Sequence, residues 1–363
     1  MNFCGSYRPD DVQFLLKQLP LTDFVTVSEK ERLIQSGRRH YSEMLSPESL
    51  PSAAYLKVYA ASYAANLPKM AADCLTLAAL IAARHADKVT LVSLARAGTP
   101  VGVILKHLLE QVFSCPTTHY SISIVRDRGI DSMALRHVLA QGHAPASIVF
   151  VDGWTGKGVI SRQLRKSIDQ FNLEYGLAID GGLHVLSDLA GTAACAASCD
   201  DYLIPSSILN ATVSGLISRS ILNHAIGPND FHGCVYYSDF AAQDQSRAFA
   251  DGLIAAGIER AREHGVPRAV PIDRVTAARV STVFMAACMA RYGISDLNLV
   301  KPGIGEATRV LLRRVPRLLL LRDAQAPDVA HLGVLAREKA VPVIVDPTLP
   351  YQAVSLIRNA IDA

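Results

Sequence analysis

Apolar residues in this chain gather into short continuous runs separated by segments of helical length. Ala146–Val151 (Ala-Ser-Ile-Val-Phe-Val) is such a run, as expected of a central parallel strand covered on both faces. The same pattern predicts strands at Lys88–Leu94, His119–Val125, Tyr175–Ile179 and Asp201–Ile204. It predicts helices at Pro100–Val112, at Ser132–Gln141 and from Gly158 onward. Lys69–His85 reads as a buried helix, and Asp10–Gln18 and Ser28–Gln35 as short helical patterns. Strands alternating with helices of about 12 residues predict an α/β fold with a parallel sheet flanked by helices. A helical stretch near Gln243–His264 runs into Gly265-Val266-Pro267, where a domain boundary is expected. Beyond it, helices at Ile272–Arg291 and Val329–Lys339 and apolar runs at Arg317–Leu321 and Val341–Val345 predict a smaller α/β domain. The expected domains are residues 1–266, with a core of about 69–240, and residues 267–363.

A length of 363 residues agrees with two domains, and half the residues are apolar, ample for a core. The formal charge of +3 is too small to predict nucleic-acid or membrane binding by itself. The apolar stretch Met70–Ala83 is interrupted by Asp73 and is short for a bilayer, so no membrane association is expected. Seven scattered cysteines, without a second close pair beside Cys195 and Cys199, predict reduced thiols in a cytoplasmic protein rather than a zinc site.

Three segments carry candidate chemistry at the carboxyl ends of predicted strands, where open parallel sheets bind ligands. In Asp152-Gly153-Trp154-Thr155-Gly156-Lys157-Gly158, glycines let backbone N–H groups approach an anion, Thr155 adds a hydroxyl and Lys157 a charge. The residue after Gly156-Lys157 is Gly158, not Ser or Thr, which excludes a Walker A loop. Arg96-Ala97-Gly98-Thr99 forms a second anion loop, and Arg126 and Arg128 bracket Asp127 in an arrangement suited to clamping a pyrophosphate. Thr212, Ser214, Gly215 and Arg219 form a candidate acceptor site, with a helix-capping loop as the plainer alternative.

A strand ending in Asp152 and followed by Thr155-Gly156 resembles the phosphoribosyl-diphosphate loop of type I phosphoribosyltransferases, and Leu94–Gly98 is similar to their pyrophosphate loop. The usual second acidic residue is replaced here by Gly153. Longer strings extend a resemblance over most of the chain: Gln35-Ser36-Gly37 with His40–Leu45, Asp152–Gly158, Leu203–Ser206 with Leu209–Leu216, and Phe231-His232-Gly233. They resemble a bacterial family linked to tellurite-resistance stress operons and labelled cysteine protease StiP. Lys301–Arg309 and Leu318–Val345 are similar to a pelota-type RNA-binding domain. The resemblance implies a type I phosphoribosyltransferase-like domain that makes or modifies a nucleoside-like metabolite. Phosphoribosyl diphosphate or a related nucleotide would be bound with Mg²⁺, which Asp152 would meet indirectly through the substrate. RNA would be a partner of the C-terminal domain, and a homodimer is one arrangement the chain permits. The alternatives are a non-catalytic nucleotide- and RNA-binding stress protein and a cysteine protease, for which Cys195, Cys199 and Cys234 are the candidate nucleophiles.

Overall fold

A computed structural model describes residues 3–21, 24–85, 87–268, 270 and 272–359. The chain opens with two-residue strands β1 (Gln13–Phe14) and β2 (Lys17–Gln18), then α1 (Val27–Gln35) and α2 (Ala53–Ala82). β3 (Val89–Leu94), α3 (Gly98–Phe113) and β4 (Thr117–Ile122) follow. The short hairpin β5 (Ile124–Val125) and β6 (Gly129–Ile130) leads to α4 (Ser132–Ala140). β7 (Ile148–Thr155), α5 (Val159–Tyr175), β8 (Leu183–Asp188) and β9 (Cys195–Ser198) complete the main sheet. An irregular stretch holding β10 (Gly233–Cys234) ends at α6 (Ser246–His264). The C-terminal part comprises α7 (Arg274–Tyr292), β11 (Val300–Pro302), α8 (Ile304–Arg313), β12 (Pro316–Leu321), α9 (Ala330–Glu338), β13 (Val343–Val345) and β14 (Ala353–Ile357).

Six strands pair in parallel in the order β1-β4-β3-β7-β8-β9. Alternate residues of each strand point to opposite faces, so Leu91, Val149 and Val151 join α2, α3 and α6 while Val92 and Phe150 join α4 and α5. The strand order reverses between β3 and β7, because β4 lies to one side of the pair and β8 to the other. A ligand crevice is expected beyond the carboxyl ends of those two strands. Gly98 lets the start of α3 reach β7 there: a Cβ at this position would stand 2.5 Å from the Val151 carbonyl oxygen.

The C-terminal strands form a mixed sheet in the order β11-β14-β12-β13. Its helices continue the first core, to which Ile304, Leu311 and Leu332 belong. Polar contacts tie the two parts together. The Asp201 carboxylate accepts from the backbone N–H of Ile304 at 2.9 Å and of Gln352 at 2.7 Å, so a residue from the irregular segment after β9 caps α8. The Arg314 guanidinium grips Glu31 at 2.5 and 2.7 Å.

Several elements depart from the pattern-based reading. Asp10–Gln18 forms β1 and β2 rather than a helix, because pairing with β4 and β10 overrides the local pattern. The run Tyr175–Ile179 is not a strand: α5 continues to Tyr175 and stops at Gly176, whose φ is 64°. The strand of that region is β8, followed by the alanine-rich β9, whose composition does not favour strands. Asp201–Ile204 is irregular. The buried helix is longer than expected and starts at Ala53 behind an N-cap from Ser52. By length and composition α2 would suffice to cross a bilayer, yet Leu77 and Ile81 sit in the core between the sheet and α3.

Candidate functional site

β7 extends past Asp152 to Thr155, so the expected loop is half strand: Asp152 pairs with Val185, Trp154 with Ser187 and Thr155 with Asp188. The Thr155 hydroxyl donates to the Asp188 carboxylate. Gly153 N–H donates to its neighbour's carboxylate, Asp152 Oδ1, at 2.8 Å. Only Gly156-Lys157-Gly158 forms the turn into α5, with Gly158 at φ 72°. The Lys157 ammonium donates to the carbonyls of Leu297 at 2.6 Å and Val300 at 3.2 Å.

What fills the space over this turn comes from the C-terminal part. A Cβ on Gly156 would meet Glu306 Cγ at 2.7 Å, and one on Gly305 would meet the Trp154 indole at 2.4 Å, so α8 lies directly on the end of β7. Arg309 stacks over the Trp154 ring at 4.5 Å and donates to Glu306 at 2.6 Å. Between α8, α1 and the β7–α5 turn opens a cavity of about 310 Å³. Eight basic side chains line it: Lys30, Arg126, Lys157, Arg219, Lys301, Arg309, Arg313 and Arg314. Two carboxylates, Asp152 and Glu306, face them.

That imbalance shifts the ionisation of the lining groups. Burial, reinforced by Arg219, Arg313 and Arg314, pushes Lys30 down to about 6. Burial and Lys301 bring Lys157 down to about 7. Burial would raise Glu306, but Arg309, Lys301 and Lys157 outweigh it and hold the carboxyl at about 2. Asp152 goes the other way, raised to about 6 by burial despite the opposing pull of Arg309.

The other sequence candidates scatter. Arg126 lines the cavity, lies over the Tyr41 ring at 5.4 Å and donates to Asn298. Arg128 turns away to Glu43 and the Leu222 carbonyl. Arg96 is held by the Glu48 carboxylate at 2.6 and 3.1 Å and by the Ile217 carbonyl at 2.8 Å. Beside it, Ala97 lines a smaller neighbouring cavity with Ser214 and Arg313. The Thr99 hydroxyl is fully buried against that of Ser121 at 2.7 Å. Of the acceptor-site candidates, Arg219 alone lines the large cavity, donating to the carbonyls of Tyr41 and Met44. Thr212 and Ser214 are buried, and Gly215 packs on Tyr7 and Phe14. Sequence reasoning missed Lys30, Lys301, Glu306 and the three α8-side arginines as members of this site. The available signal was the spacing of Arg309 and Arg313, four apart on one helix face.

Thiols form a separate set. Among the described residues Cys4 and Cys199 are partly exposed and the other five cysteines are buried. Cys199 follows β9 at the carboxyl edge of the sheet and lines a groove of about 390 Å³ with Asp201, Asp273 and Tyr351. Burial, with Asp188, Asp200 and Asp273, pushes its thiol up to about 11. Cys195 is also raised by burial, and Cys234 is pushed to about 12 by burial. Among the described residues no group of three or more His, Cys, Asp or Glu is gathered as metal ligands.

The fold and sites describe an α/β protein with a reversed-order parallel sheet and a second mixed-sheet unit closing over its carboxyl edge. Residues 5–254 match the family described as "Tellurite-like stress resistance cysteine protease StiP", and residues 279–359 match the "PELOTA RNA binding domain". A protein of Acinetobacter baylyi (strain ATCC 33305 / BD413 / ADP1) named "Cysteine protease StiP" is 39% identical over 368 residues, covering 98% of this chain and 94% of the other. The chain belongs to the StiP family. This finding corrects the activity expected from the phosphoribosyl-diphosphate loop: the family and the relative are named for cysteine proteolysis, so phosphoribosyl transfer and a glycosyltransferase role are set aside.

Proposed function

We propose that this protein is a cysteine protease of a stress response. The observation that carries the reading is the 39% identity, over nearly the whole of both chains, to a protein named as such a protease. Catalysis of this class needs a thiol with access to a peptide carbonyl. Cys199 is the thiol assigned here. It has partial exposure, a groove of its own, and a place at the sheet edge where α/β proteins collect their functional loops. In the reaction its sulfur adds to the peptide carbonyl, the amine leaves with a proton, and water then hydrolyses the thioester. Burial, with the carboxylates around it, keeps the Cys199 thiol protonated at neutral pH in this conformation, so removal of that proton is the activating event.

The type I phosphoribosyltransferase-like form of the sheet is kept as a reading of shape alone. A pelota-type match favours RNA contact by the C-terminal unit as a second role. The test of the first role is cleavage of an unstructured protein such as casein. Activity abolished by iodoacetamide and by Cys199→Ser, and retained by Cys4→Ser, is the expected result. Activity that survives full alkylation overturns the protease reading, whereas loss on alkylation with a fully active Cys199→Ser overturns only the assignment of the thiol.

A further inference from the structure

The cavity over the β7–α5 turn has no cysteine in its lining and is dominated by basic side chains. Its eight basic side chains come from α1, the β5–β6 turn, the β7–α5 turn, the loop before β10, β11 and the α8 region; six of them are arginines or Lys301, and Lys30 and Lys157 take up their protons when an anion joins them. Their internal counter-charges are few. Arg314 is neutralised by Glu31, and Arg309 and Lys301 share Glu306 at 2.6 and 3.9 Å. Arg126 pairs with Asp127 at 3.0 Å. Arg313 donates to the neutral side-chain amide of Asn210, and Arg219 and Lys157 donate to backbone carbonyls; the carboxylate facing Arg313 and Arg219 is Glu48, which is already paired with Arg96, and Lys157 faces Glu306 and Asp296. Lys30 makes no hydrogen bond or ion pair among the described residues; it faces Arg219, Arg313 and Arg314, with Glu31, already held by Arg314, as the opposing carboxylate. Holding like charges together away from water is costly unless an anion joins them. Ile34, Val159, Ile160, Leu183 and Val310 give the cavity an apolar patch beside the basic side chains. The volume falls within the range of small-ligand sites.

We propose that this cavity is a binding site for a small organic polyphosphate, and that the site exists only when α8 of the C-terminal unit is docked on the sheet edge. Phosphate groups lie among Lys30, Arg219 and Arg313, and the apolar body of the ligand lies against Ile160 and Val310. Since α8 supplies one wall and β7 the other, occupancy ties the two matched units together. The proposal is independent of which thiol acts, and of whether the chain is a protease.

The experiment is titration calorimetry on the full chain with inorganic triphosphate and with ATP, each with and without Mg²⁺, at low salt. One site per chain is expected, with ATP tighter than triphosphate because it also uses the apolar patch. Lys30→Gln, which breaks no hydrogen bond in the protein, weakens binding by about tenfold, as does Arg313→Lys. The exposed Arg337→Gln leaves it unchanged. The melting temperature of each variant without ligand reports whether it has folded. Absence of binding to both probes at millimolar concentration overturns the proposal. So does equal binding by folded Lys30→Gln, or binding of an RNA oligonucleotide alone.

Discussion

Asp201 shows what a single carboxylate does for the architecture. It stands two residues past Cys199 and satisfies two backbone N–H groups of the C-terminal unit, while burial raises it to about 6. Asp201→Ala leaves both donors without a partner. It should lower unfolding stability by roughly 2–4 kcal/mol, read as a reduced urea midpoint with an unchanged slope. Lysines of the cavity give stability an unusual pH dependence. Lys30 titrates near 6 and Lys157 near 7 in the folded chain, against about 10.5 when unfolded. Between those values the unfolded chain holds more protons, so stability rises with pH from about 7 to about 8.5. Asp152 and Asp201, raised to about 6, act in the opposite sense but only below that pH. Buried thiols reverse the trend above about pH 9. Thermal melts across this range check the sign, and Lys30→Met should flatten the slope. Cys199 itself, at about 11, should be alkylated by iodoacetamide at a rate rising about tenfold per pH unit from 8 to 10. Asp273→Asn should speed that reaction at fixed pH.

At the scale of elements, α8 bears on both functional regions. Its N-terminus is capped from beside Cys199, and its next turn presents Glu306 and Arg309 to the end of β7. The close approach requires Gly156, so Gly156→Ala should force Glu306 aside and loosen the C-terminal unit. Limited proteolysis after α6 should then run faster than in the parent chain. Much of this arrangement was legible beforehand and part of it was not. Ala146–Val151 announced a central strand because it is covered on both faces, and the glycines after it announced a tight turn. The alanine-rich β9 lacked any strand signature, and β14 was missed although all five of its residues are buried. The turn that borders the cavity was readable from Gly156-Lys157-Gly158. The arginines that complete the cavity come from about 150 residues further along, and nothing local in the sequence says which distant helix will cover a turn. For Arg96 and Thr99 the residue types suggested anion binding, but Glu48 and Ser121 already occupy them.

For the whole molecule, family membership changes the activity without changing the architecture. A sheet edge that suggested phosphoribosyl transfer belongs to a chain whose relative is named a cysteine protease. Asp201 lines the thiol groove and caps α8, and α8 in turn lines the basic cavity, while the two spaces share no lining residue. The most direct test of the protease account is to incubate the full chain at neutral pH with a peptidyl vinyl sulfone and map the product by mass spectrometry. A single adduct on Cys199, with peptide cleavage lost in proportion to labelling, is the predicted result. Cleavage that persists in fully labelled protein would contradict the protease account, whereas an adduct on another cysteine that alone abolishes activity would contradict only the assignment to Cys199.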